Sequence, residues 1–270
     1  AQVEVEDAYG VKGRPDACVI EMGGTVGDIE SAPFIEALRQ FQFRVGRDNF
    51  ILIHVSLVPV VGSVGEQKTK PTQASVRDLR GLGLAPDVVA CRSSDPLETS
   101  IKDKISLFCQ VSPEQVLSVH DCSSVYQVPL ILQQQGLSGF LSERFKLDSA
   151  EFKANDEFLA KWTHLAQVQA NCTEEISVAI VGKYTFLQDS YLSISKALNH
   201  AGLFLEKSPK IHWIEATDLE GKDSAKNEAA WATLRSSDCV LVPGGFGDRG
   251  MSGKLAACHY ARSNGKPFLG

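Results

Sequence analysis

Short apolar runs rich in valine and isoleucine alternate with segments of helical periodicity, and this alternation constrains the fold more than any other feature of the chain. Alternating strands and helices are typical of parallel sheets with helices packed on their faces. The pattern occurs twice, so the sequence predicts an α/β fold with two parallel-sheet domains. The predicted strands are residues 17–21, 51–58, 87–91, 116–120, 176–181, 210–213, 239–242 and 267–270, and the predicted helices are 33–45, 71–81, 100–109, 190–201, 226–234 and 250–263.

A polar segment separates the two halves. Residues 148–175 contain no strand candidate and have room for one amphipathic helix around 158–168, so they are interpreted as an interdomain connector. The predicted domains are therefore 1–147 and 176–270. A chain of 270 residues with 43% apolar residues is long enough to give each half its own core.

Charge and cysteine usage exclude several classes of protein. The formal net charge of −6 argues against binding to nucleic acid or to a membrane surface through bulk positive charge. No apolar run reaches the roughly 20 residues that span a bilayer, and the first residues are acidic rather than a basic and apolar leader. Seven scattered cysteines without a CxxC pair indicate reduced thiols. We therefore expect a cytoplasmic protein with no membrane or nucleic-acid partner.

A glycine-rich turn follows the first predicted strand, in the segment Glu21-Met22-Gly23-Gly24-Thr25-Val26-Gly27-Asp28-Ile29-Glu30. At the carboxyl end of a strand, such a turn lets backbone N–H groups approach a phosphate or a base. Its carboxylates suggest magnesium or ligand hydroxyls. A purely structural interpretation stays open, because acidic residues also suit the first turn of a helix.

A second segment, Gly65-Glu66-Gln67-Lys68-Thr69-Lys70-Pro71-Thr72-Gln73, follows the next predicted strand. Pro71 suits the first turn of a helix, so Lys68 and Lys70 would lie at a helix N-terminus, where the helix dipole disfavours cations. A bound anion such as a triphosphate explains that placement better than stability does, although a solvated basic loop is the alternative. Lys104, on a predicted helix of alternating charge, is by itself more typical of a surface ion pair.

A third segment, Leu241-Val242-Pro243-Gly244-Gly245-Phe246-Gly247-Asp248-Arg249-Gly250, leads from a strand into a helix. Backbone N–H groups on such a turn can form an oxyanion hole without side chains. A structural connector is equally compatible with the local sequence. Cys258, on the apolar face of the following helix, is interpreted as a packing thiol rather than a nucleophile.

Taken together, these segments resemble the CTP synthase family of glutamine-hydrolysing ligases, which convert UTP to CTP. The resemblance covers nearly the whole chain from about residue 16. The matching strings, in order, are GGTVGDIE, GEQKTKPTQ, RGLGLAPD, VGKYT, DSY, VPGGFGDRG and KPFLG.

The resemblance implies a P-loop-type amidoligase (synthetase) domain followed by a class I glutamine amidotransferase domain of flavodoxin-like fold. In the family, ATP phosphorylates a uracil carbonyl oxygen and ammonia from glutamine then displaces phosphate. The implied cofactor is Mg2+, with ATP as co-substrate, GTP as activator and CTP as inhibitor. Homotetramers and filaments are implied as well.

The resemblance also implies roles for individual residues. Glu21 would bind magnesium, and Gly244 and Gly245 would bind glutamine and its oxyanion, with residues 246–250 forming a lid. The pyrimidine nucleotide would contact Asp28, Ile29 and Glu30, and its triphosphate would contact Lys68, Thr69, Lys70, Pro71, Thr72, Gln73 and Lys104.

The two ends of the chain differ from the family pattern. The family's ATP-binding glycine-rich loop would precede Ala1, and its nucleophilic cysteine would follow Gly270. From this we expect both domains to be incomplete and the isolated chain to be inactive. A non-catalytic module that binds UTP or CTP, or that assembles with complete subunits, is the alternative.

Overall fold

The computed structural model describes residues 5–6, 12–13, 15, 17–62, 65–147, 152–221 and 225–270. The chain divides into two compact units, one made of residues 1–122 with 128–152 and the other of residues 123–127 with 153–270. Each unit has a parallel sheet with helices, so the predicted α/β class is confirmed. Parts of the first predicted domain, and residues 148–151 of the predicted connector, lie outside the described residues.

The strands are β1 Val5–Glu6, β2 Lys12–Gly13, β3 Ile53–Leu57, β4 Val60–Val61, β5 Glu66–Gln67, β6 Val88–Ser93, β7 Val116–His120, β8 Glu175–Gly182, β9 Ser208–Glu215, β10 Cys239–Leu241 and β11 Phe268–Leu269. The helices are α1 Ala32–Val45, α2 Lys70–Gly81, α3 Thr99–Cys109, α4 Val128–Gln134, α5 Leu137–Phe145, α6 Phe152–Asn171, α7 Leu192–Phe204, α8 Ala225–Ser236 and α9 Met251–Ser263. Short 3-10 helices cover Arg47–Asn49, Pro113–Gln115, Val125–Gln127, Gln188–Tyr191 and Ala216–Leu219.

The sheet of the first unit has the order β3-β6-β7, with all strands parallel. The central strand β6 is buried from Val88 to Cys91, which explains the continuous apolar run in this part of the strand. On one face of the sheet, Val89 and Val116 pack with Val76 of α2 and Ile105 of α3. Because the strands are parallel, their carboxyl ends meet at one edge, where Leu57 pairs with Arg92 and Arg92 with Val119.

The sheet of the second unit has the order β11-β10-β8-β9, and it is also wholly parallel. Its core joins Val181 of β8 and Val240 of β10 to Leu234 of α8 and Ala257 of α9. Ala257 and the neighbouring Ala261 have no exposed surface, so α9 approaches the strands closely. That approach fixes the position of the turn between β10 and α9.

Most predicted elements are confirmed within a residue or two, and β7 has the predicted bounds. The predicted strand 17–21 is wrong: these residues form no strand and pair with no other strand among the described residues, and Val19 is 95% exposed. Helices α4 and α5 and the small antiparallel pair β4–β5 were not predicted. The predicted helix within the connector exists but is longer, as α6.

Candidate functional site

The N-terminus of α2 lies beside the carboxyl edge of the first sheet. The chain leaves β3, forms the β4–β5 hairpin and enters α2 at Lys70, with Pro71 in the first turn as predicted. Thr69, the residue before the helix, does not cap it with its side chain. The first backbone N–H groups of α2 therefore stay available to an anion.

Exposed lysines surround this helix start. Lys70 and Lys104 are exposed, and Lys68 is half-buried. Lys68 Nζ lies 2.6 Å from Glu66 Oε2 in a partly exposed ion pair. The hydrogen bond from Lys68, together with the charges of Lys68 and Lys104, lowers the pKa of Glu66. Ion pairs at the surface contribute only about 0–1 kcal/mol, so a phosphate can replace Glu66 at Lys68 at little cost.

Polar side chains beneath the lysines are used as structural anchors. Thr72 is completely buried, where its Oγ1 accepts a hydrogen bond from Ser56 Oγ and donates to the Leu57 carbonyl. Thr69 is also buried, and its Oγ1 accepts a hydrogen bond from Gln73 Nε2. Thr69 and Thr72 therefore present backbone rather than side chain to a ligand.

A buried glutamine connects the α2 loop to the approach of α3. Gln67 Nε2 donates to the Pro96 carbonyl, and Gln67 Oε1 accepts from the Glu98 backbone N–H. Glu98 immediately precedes α3, the helix that carries Lys104. This connection places Lys104 on the same side of the unit as Lys68. The charge of Lys104 lowers the pKa of Glu66, the partner of Lys68, which agrees with that placement.

The glycine-rich turn before α1 is compact. Gly24 and Gly27 have positive φ, which favours glycine, and the Thr25 N–H donates to Asp28 Oδ2 over 3.3 Å. Asp28, Ile29 and Glu30 are all exposed just before α1. Among the described residues, no ion pair joins Asp28 or Glu30 to the lysines.

Glu21 is exposed and forms no hydrogen bond or ion pair within the described ranges. Across the part of the chain that the structure describes, no group of three or more His, Cys, Asp or Glu side chains is arranged to hold a metal ion. Magnesium, however, commonly binds one or two carboxylates together with substrate phosphates and water. A single accessible carboxylate such as Glu21 fits that mode.

The second unit contains the other predicted site, at the turn between β10 and α9. Gly244 and Gly245 are exposed, and within the described chain neither N–H donates a hydrogen bond to another residue. Phe246 is fully exposed beside them. The turn thus presents two unused backbone donors, which is what an oxyanion hole requires.

Two lysines hold the carbonyl groups of this turn. Lys254 Nζ, on α9, donates to the Pro243 carbonyl over 2.7 Å. Lys183 Nζ, after β8, donates to the carbonyls of Phe246 and Gly247 over 2.9 and 2.5 Å. Both lysines are buried, with 7% and 9% of their surface exposed, respectively.

A further network joins the VGKYT segment to the end of the turn. Glu215, at the end of β9, accepts hydrogen bonds from the Thr185 N–H and hydroxyl. Its other oxygen lies 3.4 Å from Arg249, whose guanidinium lies 4.5 Å from the centre of the Tyr184 ring. Tyr184 has a positive φ, an uncommon conformation for a residue with a side chain. The strings noted in the sequence therefore converge at one place.

Sequence reasoning assigned no role to Lys183, Tyr191, Glu215 or Lys254. Lys183 lies in the VGKYT string and Tyr191 in the DSY string, so the sequence did contain a signal for these two residues. Tyr191 OH accepts from the Lys183 N–H, so it fixes the backbone at that lysine. Lys254 carried no signal, because a lysine on an amphipathic helix normally faces solvent. Cys258 packs against the core of its unit, as predicted.

No helix in the described ranges combines the length and the apolar character needed to cross a bilayer.

Two family models match the chain. The model described as "CTP synthase N-terminus" matches residues 2–147, and the model described as "Glutamine amidotransferase class-I" matches residues 186–270. The two matches fall on either side of α6.

Curated relatives match along the whole chain. A CTP synthase of Eremothecium gossypii is 52% identical over 279 residues, which cover 100% of this chain and 48% of the relative. A CTP synthase of Dictyostelium discoideum is 52% identical over 97% of this chain and 48% of its own length. CTP synthase 1 of Homo sapiens is 54% identical over 95% of this chain and 44% of its own length. The chain spans about half the length of the curated relatives that it matches.

Proposed function

The chain belongs to the CTP synthase family, and from this premise we propose that the protein carrying it converts UTP to CTP with ATP and with ammonia released from glutamine. In this reaction glutamine and water give glutamate and ammonia. UTP, ATP and ammonia then give CTP, ADP and phosphate. The protein is thus a glutamine-hydrolysing ligase.

One observation carries the proposal: a single chain holds both an anion site and a turn with unused backbone donors. The uncapped start of α2, with Lys68, Lys70 and Lys104 around it, suits a triphosphate. The turn at Gly244 and Gly245 suits an acyl-transfer oxyanion. An enzyme that couples glutamine hydrolysis to the amination of a nucleotide needs both sites.

We propose that the pyrimidine triphosphate is bound by the residues around α2. Lys68, Lys70 and Lys104 contact the phosphates with their side chains, as does Gln73 once its bond to Thr69 is released. Thr69, Pro71 and Thr72 contribute the helix start itself. Asp28, Ile29 and Glu30 contact the base and ribose.

In the amidotransferase unit, we propose that Gly244 and Gly245 bind glutamine and stabilise its oxyanion. The register of the sheet supports this assignment, because Leu241 pairs with Leu269 and the Val242 N–H donates to the Leu269 carbonyl. A residue that follows Gly270 would emerge beside Pro243 and Gly244. A cysteine there would be the nucleophile.

We propose Mg2+ as the cofactor, with Glu21 as a ligand, and GTP as an activator of glutamine hydrolysis. Magnesium neutralises the charge of the phosphates that it binds. The exposed, unpaired carboxylate of Glu21 supports its role.

We propose a cytoplasmic homotetramer that can assemble further into filaments. Exposed apolar side chains on α1 support association, namely those of Phe34 and Phe43. The buried core thiols Cys91 and Cys109, whose pKa values are raised by burial, support a reducing compartment. No observation on the described residues favours the non-catalytic alternative.

The test is CTP formation by the protein that carries this sequence, with UTP, ATP and magnesium present. We expect product with either glutamine or ammonia as nitrogen source and none without ATP. GTP should raise the rate with glutamine only. Absence of CTP with both nitrogen sources would overturn the proposal.

A further inference from the structure

Two buried ammonium groups lie directly behind the Pro243–Gly247 turn. Lys254 and Lys183 are almost inaccessible, yet in the described part of the chain no carboxylate lies within ion-pair distance of either nitrogen. Burying a charge without a counter-ion costs free energy. Burial and the nearby charge of Lys183 accordingly lower the pKa of Lys254. A costly arrangement of this kind requires a compensating role.

The hydrogen bonds of the two lysines indicate that role. Their acceptors are all backbone carbonyls of the turn: Pro243 for Lys254, and Phe246 and Gly247 for Lys183. The carbonyl oxygens of the turn thereby take the place of water around the two ammonium groups. The two ammonium groups also determine the direction in which the peptide groups of the turn face.

Peptide geometry links the Pro243 carbonyl to the Gly244 N–H. The described chain contains no cis peptide bond, and in a planar trans peptide the C=O and the following N–H point in opposite directions. Lys254 binds the Pro243 carbonyl on the inner side of the turn, so the Gly244 N–H must face outward. This agrees with the unused state of that donor.

We propose that Lys254 is a positioning residue for glutamine hydrolysis, which fixes the Pro243–Gly244 peptide so that the Gly244 N–H points into the glutamine site. Lys183 fixes the orientation of two further peptides in the same way, because it binds the carbonyls of Phe246 and Gly247. This inference rests on the proposed glutaminase function. It adds a residue of α9 that does not touch the substrate.

Glycine at position 245 is consistent with this arrangement. A Cβ there would lie 3.3 Å from Lys254 Nζ and 3.8 Å from the Lys183 side chain. The two lysines therefore approach the turn so closely that little space is left for a side chain on that side.

The test compares Lys254→Met with Lys266→Met in the protein that carries this sequence. Lys266 is a control in the same unit, because its Nζ likewise donates to backbone carbonyls, those of Arg235 and Ser237, away from the turn. For Lys254→Met we expect the kcat of glutamine hydrolysis to fall tenfold or more, with a smaller change in KM. Loss of an oxyanion donor costs about 10²–10³-fold, and a misdirected donor less.

CTP formation from ammonia does not need glutamine hydrolysis, so it shows whether a variant has lost only the glutaminase reaction. It should stay within about twofold of wild type in both variants, and Lys254→Arg should recover part of the lost kcat, because it keeps a charged donor. If Lys254→Met hydrolyses glutamine as well as Lys266→Met does, the positioning role is wrong. If the wild-type protein hydrolyses no glutamine, the proposed function itself fails. If Lys254→Met lowers Tm without lowering kcat at a temperature where it is folded, Lys254 is only structural.

Discussion

Lysine side chains have opposite environments at the two candidate sites. Around the start of α2, lysines are accessible and one is held by a weak, exposed ion pair with Glu66. Behind the Gly244 turn they are buried, and among the described residues they donate to backbone carbonyls. An accessible cation can exchange its partner for an incoming phosphate, whereas a buried one fixes the backbone around it. The same residue type thus suits binding in one unit and positioning in the other.

Removing the accessible cations should weaken nucleotide binding. For Lys68→Ala and Lys70→Ala we expect UTP affinity to fall about tenfold each, since a hydrogen bond to a charged group contributes about 1.5–3 kcal/mol. Titration of UTP by calorimetry measures the effect. Arg77→Ala is the control, because Arg77 is an exposed cation further along α2. Equal affinities for Lys68→Ala, Lys70→Ala and the control would contradict the triphosphate assignment.

Residue-level prediction from sequence succeeded where the signal is local. Pro71 places the start of α2 correctly, because its ring suits the first turn of a helix. The same reasoning could not show that Thr69 and Thr72 are buried, since their burial depends on β3, which is distant in sequence.

At the level of elements, α9 of the amidotransferase unit approaches the 3-10 helix Ala216–Leu219 very closely. A Cβ on Gly253 would lie 1.8 Å from the Ala216 carbonyl oxygen, and one on Gly250 would lie 2.9 Å from Ala216 Cβ. The Gly253 N–H also donates to Glu220 Oε1. Glycine at these positions is what allows α9, and with it Lys254, to approach the turn.

Gly253→Ala should therefore destabilise this unit. We expect the free energy of unfolding to fall by at least about 2 kcal/mol, because a backbone carbonyl cannot move aside as a side chain can. Denaturant unfolding measures the change. Gly139→Ala on α5, where a Cβ would meet no atom within 4 Å, is the control and should be neutral or slightly stabilising. A neutral Gly253→Ala would contradict the close packing.

The contact between β3 and α2 predicts a pH dependence of stability. His54 Nε2 shares a hydrogen bond of 2.8 Å with Ser75 Oγ, and burial lowers the pKa of the imidazole. In the unfolded chain, with a pKa near 6.5, His54 binds a proton more readily than in the folded one. Its contribution to stability is therefore complete above about pH 6.5 and is lost as the pH falls below that value.

Urea unfolding at pH 7.5 and pH 5.5 checks this prediction. The wild-type protein should lose more stability between the two pH values than His54→Gln does. His259→Gln, on α9, is the control and should lose as much as the wild type. A wild-type loss no larger than that of His54→Gln would show that His54 is not the responsible group.

At the scale of the whole molecule, the proposed association of subunits is supported by exposed apolar side chains on the protein surface. Phe43, on α1, is 90% exposed, and Phe34 on the same helix is 62% exposed. Contact with another subunit would remove such a side chain from water.

Phe43→Ser should therefore weaken the proposed tetramer and increase the share of smaller species. Sedimentation velocity at several concentrations measures the distribution. Phe204→Ser, which removes an 85% exposed phenylalanine from α7, is the control. If both variants sediment like the wild-type protein, α1 is not part of the subunit contact.

Much of this molecule follows from sequence alone. The alternation of strands and helices, the bounds of β7, the start of α2 and the glycine turn after β10 are all local patterns that depend on residues a few positions apart. The predicted strand 17–21 failed because a strand also needs a neighbour, which no local pattern supplies.

Only the tertiary structure decided which lysines are buried and which way the turn faces. The Lys183–Phe246 hydrogen bond joins residues 63 positions apart, and the sheet pairs Leu241 with Leu269. Periodicity describes one element at a time, so it assigns a helical lysine such as Lys254 to solvent. Packing of α9 against the β10 turn instead buries it, because only the folded chain brings a carbonyl within reach of its ammonium group.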